Sequence, residues 1–178
     1  STALGELADQ FDALPAAERT TARGYFARPT DAVVRKAQDF LDYPDNLPLG
    51  TVCGANACVH WAESTKHAVP GSDGNLATVP AWVQTTLDTV ESVWQVQVGS
   101  MKYRRPTGDG TYGNPAGETR RDLLDVYLGE IGANEYYGYA NVDVRPGRPY
   151  AGYLVLDNDF AEFRNPPISS LRVTVAHE

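Results

Sequence analysis

The stretch 79–99, VPAWVQTTLDTVESVWQVQVG, carries the clearest helical pattern in the chain. Its apolar positions recur every three or four residues, as on one face of an α-helix, and polar residues occupy the other face. The positions on the apolar face are Val79, Trp82, Val83, Thr86, Leu87, Val90, Val93, Trp94 and Val98. Pro80 suits the first helical turn and Gly99 suits the exit. The pattern predicts a helix over about residues 80–99 that buries one face.

Extended segments on both sides of this helix predict a β-sheet. The segment 59–64 (VHWAES) alternates before the helix, and three strand-like segments follow it. They are LLDVYLGEI (123–131), EYYGYANVD (135–143) and YAGYLVLDND (150–159), preceded by a polar loop rich in Gly and Pro over 101–121. After Pro166, ISSLRVTVAHE predicts a helix capped by Ser169 or Ser170, although the β-branched run 173–175 also permits a strand. This order of elements indicates an α+β fold.

Composition limits the classes of partner. The chain has 178 residues, a formal net charge of -8 and a pI near 4.8. Nucleic-acid binding needs a basic surface, so this charge argues against it. No polybasic patch favours an anionic membrane, and no apolar run has transmembrane length. The start of the chain does not resemble a signal peptide, so a secreted protein would have lost its signal already.

The amino-terminal part predicts helices joined to the main domain by a linker. Residues 3–24 have the spacing of two short helices, and a third is predicted from Asp31 to Leu41. The Pro-rich segment DYPDNLPLG follows. We expect residues 1–45 to form a helical appendage or pro-segment-like region, and residues 46–178 to form the main domain.

Two cysteines, Cys53 and Cys58, enclose a short turn-prone segment in CGANAC. A disulfide across such a turn is geometrically reasonable in an oxidising compartment. The alternative is a zinc site that also uses His60 and His67. The spacings match zinc fingers poorly, so the disulfide is the favoured prediction.

The chain closes on His177-Glu178, within a predicted apolar helix. A His-Glu pair on a helix is the first half of the zinc-protease pattern H-E-x-x-H. Five motifs in order resemble a family of secreted bacterial zinc metallopeptidases, in which the last motif continues as His-Glu-Phe-Phe-His. The motifs are STKHAVP (64–70), DVYLGEIG (125–132), YYGYA (136–140), YLVLDNDFAEF (153–163) and LRVTVAHE (171–178).

The resemblance covers about residues 50–178 and implies a zincin-like amino-terminal subdomain. In such a subdomain a backing helix and an active-site helix pack on one face of a twisted mixed sheet. The resemblance implies one catalytic zinc and hydrolysis of a peptide or protein substrate, with His177 as the first zinc ligand and Glu178 as general base. The second histidine would follow Glu178, so we expect this chain by itself to be inactive. We also expect association with the missing half of the domain, or self-association, through an exposed apolar face.

Calcium is a second candidate ligand. Asp73 and Asn75 in PGSDGN, and Asp157 and Asp159 in LDNDF, place oxygen ligands at short spacing. The alternative is ordinary turn chemistry, in which Asp, Asn and Gly are favoured for backbone reasons. The rival function is a non-catalytic extracellular binding or pro-domain module, with calcium as a possible stabiliser.

Overall fold

The computed structural model describes residues 2–31, 41, 43–145 and 148–178. Within them the chain forms an α+β fold with a five-stranded mixed sheet and four α-helices. The fold class predicted from the sequence is therefore confirmed at this level.

The sheet has the spatial order β1-β2-β3-β5-β4. Its strands are β1 (Leu49–Cys53), β2 (Ala57–Ala62), β3 (Leu124–Gly129), β4 (Gly138–Arg145) and β5 (Arg148–Asp157). The central strands β2, β3 and β5 are parallel, and β1 and β4 pair antiparallel with them at the two edges. Every residue of β2 is buried, as expected for a parallel strand covered on both faces.

Four helices accompany the sheet: α1 (Thr2–Gln10), α2 (Ala16–Arg23), α3 (Ala81–Trp94) and α4 (Pro167–His177). Helices α3 and α4 contact each other and cover one face of the sheet. They form the main core with inward-facing residues of β2, β3 and β5, among them Trp61, Leu128 and Leu156. A second cluster, including Tyr43, lies on the opposite face around Tyr127 and Tyr153.

The predicted long helix is present but changes form near its end. After Trp94 the backbone continues as a π-helical turn over Gln95–Ser100. A π-helical turn shifts the side chains that follow it relative to the preceding helical face. Here the side-chain amide of Gln97 donates to the carbonyl of Ala176 at 2.7 Å, which ties the end of α3 to the last turn of α4.

The sequence analysis missed one strand and placed the start of one helix wrongly. The strand β1 was not predicted, because the sequence around it was assigned to a linker and a cysteine loop. Neither Ser169 nor Ser170 caps α4: the helix starts at Pro167, so both serines lie inside its first turn and Pro166 occupies the cap position.

The two short amino-terminal helices are confirmed as α1 and α2, joined by a 3₁₀ turn over Phe11–Ala13. Helix α1 contacts β4 and β5, and Phe11 and Phe26 pack edge to face in a small core. Most of the third predicted helix, 31–41, lies outside the described residues. The division of the chain near residue 45 stays a prediction.

Candidate functional site

Helix α4 carries His177 and Glu178 at its carboxyl end and exposes both side chains. Leu171 and Val175, four residues apart, are buried on the sheet and fix the rotation of the helix. Burial of this face overrides the weak helix propensity of the β-branched run, so the local strand alternative is wrong. On the outer face Val173 is 70% exposed.

The edge strand β4 runs beside the carboxyl end of α4. The backbone N–H of Ala140 donates to Glu178 Oε2 at 3.0 Å. The N–H of Val142 donates to Oδ1 of the neighbouring Asn141 at 2.8 Å. Both amides bind side-chain oxygens and not β5, so they lie on the outer edge of the sheet. Gly138 permits the close approach of α4, because a Cβ there would lie 2.7 Å from Thr174 Cγ2.

Glu178 lines two cavities. The smaller, of about 330 Å³, lies between the end of α3, the sheet and residues 103–106, and its walls are mostly apolar. Trp94, Val98, Leu154 and Val175 are among them. The larger, of about 470 Å³, lies between the start of β4 and the outer face of α4, and His177 also lines it. The carboxylate is therefore accessible from both sides of the α4 end.

The other two histidines lie away from His177. His60 is buried on the face of the sheet opposite α4, where it stacks on Tyr127. Its Nε2 lies 2.8 Å from Asp125 Oδ1 and its Nδ1 lies 2.9 Å from Thr51 Oγ1. His67 is also buried, and its Nδ1 accepts the backbone N–H of Glu130. His177 is therefore the histidine whose side chain the fold leaves exposed.

The predicted disulfide is confirmed. Cys53 and Cys58 are paired residues of the β1–β2 hairpin and are joined by a disulfide bond. With both sulfurs in that bond, the alternative zinc site using these cysteines is wrong for this structure.

The residues predicted to bind calcium mainly accept backbone hydrogen bonds. Asp73 Oδ1 accepts the N–H of Asn75, and Asn75 Oδ1 accepts the N–H of Ala77. Asp157 accepts the amides of Ile131, Gly132 and Phe160, and Asp159 accepts that of Ala161. These contacts are typical of ordinary turns, in which Asp and Asn side chains accept nearby backbone amides, and calcium binding stays a prediction.

Asp157 belongs to an acidic cluster that sequence reasoning missed. Ligand oxygens of Glu130, Asp157 and Glu162 lie within 4.8 Å of one another. Burial raises the pKa of the Asp157 and Glu162 carboxyls above their ordinary values, against the backbone hydrogen bonds that lower them. The available sequence signal was that Glu130 and Asp157 each lie near the carboxyl end of a predicted strand. The structure pairs those two strands in parallel, with Gly129 opposite Asp157.

A buried charge cluster on the opposite face was also missed. Arg28 is fully buried and forms ion pairs with Asp109, Asp125 and Asp143. Its Nε donates to Asp143 Oδ2 at 2.7 Å, and the other two contacts come from its two Nη atoms. The available signal was Asp125, a charged residue inside a predicted strand that is mostly apolar.

The electrostatics of this cluster are unbalanced. Burial raises the pKa of Asp109, the neighbouring Asp125 raises it further, and the attraction of Arg28 only partly offsets them. Burial by itself lowers the pKa of Arg28, but its anionic surroundings hold that pKa above its ordinary value. Asp125, one of the three carboxylates around the guanidinium, also contacts His60 Nε2. We interpret this cluster as a structural link, because it faces away from Glu178 and both cavities that Glu178 lines.

No protein-family model, curated protein or solved structure matches the chain. Within the described residues, no helix has the length and apolar character needed to span a membrane.

Proposed function

We propose that the chain is the amino-terminal part of a secreted zinc-dependent metallopeptidase. The observation that supports this most is the position of Glu178: its carboxylate is exposed at the end of α4 and contacts an outward-facing amide of the edge strand β4. A general base for peptide hydrolysis must lie within reach of a peptide held in place, and an open strand edge is a means of holding one.

In this proposal His177 is a zinc ligand, and the donor chemistry of an exposed imidazole on a helix fits that metal. A second histidine at position 181 would lie on the same helical face, four residues on. Zinc, when bound, activates a water molecule for attack on the peptide carbonyl. Glu178 would accept the proton of that water, since its carboxylate is exposed next to His177.

The outer edge of β4 would hold the substrate as an added strand. An extended peptide pairs with such an edge through main-chain hydrogen bonds, and its alternate side chains enter flanking pockets. The N–H of Ala140 now donates to Glu178. In a complex with substrate it would donate to a peptide carbonyl. The larger cavity, which Glu178 and His177 line, supplies such a flanking pocket.

The smaller cavity also fits a continuation of α4. In the H-E-x-x-H pattern the helix extends for another turn, and positions 179 and 182 would share the face of Val175. Val175 lines the 330 Å³ cavity together with apolar residues of α3 and β5. Apolar side chains at those two positions would therefore be buried there, while position 181 stays on the face of His177.

The test uses the complete gene product with whatever residues follow Glu178. We expect about one zinc per chain, measured by metal analysis, and zinc-dependent hydrolysis of a denatured protein substrate. Glu178→Gln should retain zinc but lower kcat by about 10²–10⁴-fold, as for loss of a general base. His177→Ala should lose the zinc. The chain ending at Glu178 should show no tight zinc site in calorimetry.

Undiminished hydrolysis by Glu178→Gln, or a gene that encodes no metal ligand at position 181, would remove this proposal. The rival function is a non-catalytic extracellular binding module stabilised by calcium. The proximity of Glu130, Asp157 and Glu162 favours that rival, and the melting temperature with calcium and with chelator tests it.

A further inference from the structure

The larger cavity beside Glu178 combines aromatic walls with acidic groups. We name it the tyrosine cavity; its volume is about 470 Å³, between the start of β4 and the outer face of α4. Tyr136 and Tyr137 line it from the β4 side, and both rings are more than a third exposed. Val173 lines it from α4. These walls offer apolar contact to a long side chain whose tip can be polar.

Tyr137 gives the cavity a fixed wall. Its ring stacks on Phe163 with a centroid separation of 3.5 Å, and it also contacts Phe160. Phe160 is fully buried in the main core, which anchors the group. A wall held in this way needs little reordering when a ligand enters, so less conformational entropy is lost on binding.

The carboxylate side chains are the charged groups among the described residues that line the tyrosine cavity. Glu135 and Glu178 both line it, and none of the described lining residues is lysine or arginine. His177 is the single imidazole in the lining. The chain as a whole carries a net charge of -8, so the wider field also attracts cations. An anionic side chain would be repelled here.

A buried hydroxyl adds an acceptor. Ser170 lines the cavity, is only 3% exposed, and its Oγ has no hydrogen-bond partner among the described residues. A buried polar atom without a partner is uncommon in folded proteins and favours a ligand that supplies one. Because a hydroxyl has two acceptor lone pairs, it can accept an N–H from a guanidinium.

We propose that the tyrosine cavity selects a basic side chain, arginine above all, from a peptide that lies along β4. Its aliphatic stem would pack between Val173 and the tyrosine rings, and the guanidinium would stack on a ring face and meet Glu135 and Ser170. Arginine is favoured over lysine because a planar guanidinium both stacks and donates along several directions. The placement of the peptide along β4 rests on the proposed function.

The test is a binding measurement on the 178-residue chain without zinc, at pH 8. The probes are blocked pentapeptides of alanine whose central residue is arginine, norleucine or glutamate, titrated to millimolar concentration and followed by NMR. We expect the arginine peptide to bind about fivefold more tightly than the norleucine peptide, from one ring contact and one exposed ion pair. The glutamate peptide should bind most weakly.

Two matched variants locate the preference. Glu135→Gln should lower the arginine preference to about twofold or less, since it removes the ion pair. Glu18→Gln, which removes an exposed acid on α2 with the same change in net charge, should leave the preference unchanged. Equal binding of the arginine and norleucine peptides, no binding of the arginine peptide, or an unchanged preference in Glu135→Gln would each overturn the inference.

The measurement needs neither zinc nor hydrolysis. Its failure would leave the peptidase proposal standing, and an absence of zinc-dependent hydrolysis would leave an observed arginine preference standing.

Discussion

Replacement of Arg28 by methionine should destabilise the protein strongly and in a pH-dependent manner. The side chain is fully buried and pairs with three carboxylates, of which Asp125 and Asp143 are almost completely buried. Methionine keeps much of the volume but removes the charge and every donor. At neutral pH the variant therefore holds three buried carboxylates without their shared cation.

The expected loss in the free energy of unfolding can be worked out from proton uptake, which is the least costly way to remove a negative charge from the buried cluster. An Asp carboxyl with an ordinary pKa of 3.8 costs about 4 kcal/mol to protonate at pH 7, at about 1.4 kcal/mol per pH unit. If one carboxyl takes up a proton, Arg28→Met loses about 4 kcal/mol. This agrees with the roughly 3–5 kcal/mol found when one partner of a buried ion pair is removed.

The sign of the pH dependence is fixed by the same argument. In the variant the folded-state pKa of an orphaned carboxyl lies above its unfolded value, so its contribution to stability is present at low pH and is lost as pH rises. The stability deficit of Arg28→Met should therefore shrink from about 4 kcal/mol at pH 7 to about 1–2 kcal/mol at pH 5.

The assay is urea unfolding of the wild type and Arg28→Met at pH 5, 6 and 7, with Arg164→Met as control. Arg164 is exposed, so its replacement should change the free energy of unfolding by less than about 0.5 kcal/mol. A deficit below about 1 kcal/mol for Arg28→Met, or a large deficit that does not change with pH, would contradict this prediction.

Three further measurements test other parts of the structure. Asp109→Asn should raise the free energy of unfolding at pH 7, because the raised pKa of Asp109 means that its charge is disfavoured in the fold. The gain in stability should vanish towards pH 4, and a loss of stability at pH 7 would contradict this prediction. Reduction of the Cys53–Cys58 bond should cost about 2 kcal/mol, as for a short closed loop, checked against Cys53→Ala/Cys58→Ala, which should not respond to reductant. Calcium at millimolar concentration should raise the melting temperature if the acidic cluster binds it, and Glu162→Gln should abolish that rise. Identical melting temperatures with calcium and with chelator would remove the calcium prediction.

The sequence predicted the elements that repeat a hydrophobic period over many residues. The apolar spacing within 79–99 predicts a helix with one buried face, and the structure has helix α3 and its π-helical extension there. The strands β3 and β5 were also found, because their runs of apolar residues are bounded by polar segments. β1 was missed because its residues show no alternating burial pattern: four of the five are partly buried, and Gly50 is buried. Its pairing with β2, which defines it as a strand, is not visible in the sequence.

The residues of the candidate site that are adjacent in sequence could be predicted, whereas its contacts between distant segments could not. His177 and Glu178 are visible as a dipeptide on a helix. The contact of Glu178 with Ala140 depends on β4 lying outside β5 at the sheet edge, and local periodicity does not specify strand order. Likewise, Arg28 meets Asp125 across 97 residues of sequence, and no short-range pattern contains that pairing.

The buried charge cluster and the candidate site are connected through β4. Asp125 on β3 and Asp143 on β4 flank the central strand β5, so the guanidinium of Arg28 bridges strands that do not contact each other. The carbonyl of Ala27, next to Arg28, accepts the hydroxyl of Tyr153 on β5, which adds a third strand to the link. The position of β4, which faces Glu178 at Ala140, therefore depends in part on a residue of the amino-terminal segment. A segment released as a pro-peptide would leave Asp125 and Asp143 without this cation, so we expect residues up to Arg28 to remain with the domain when the site is functional.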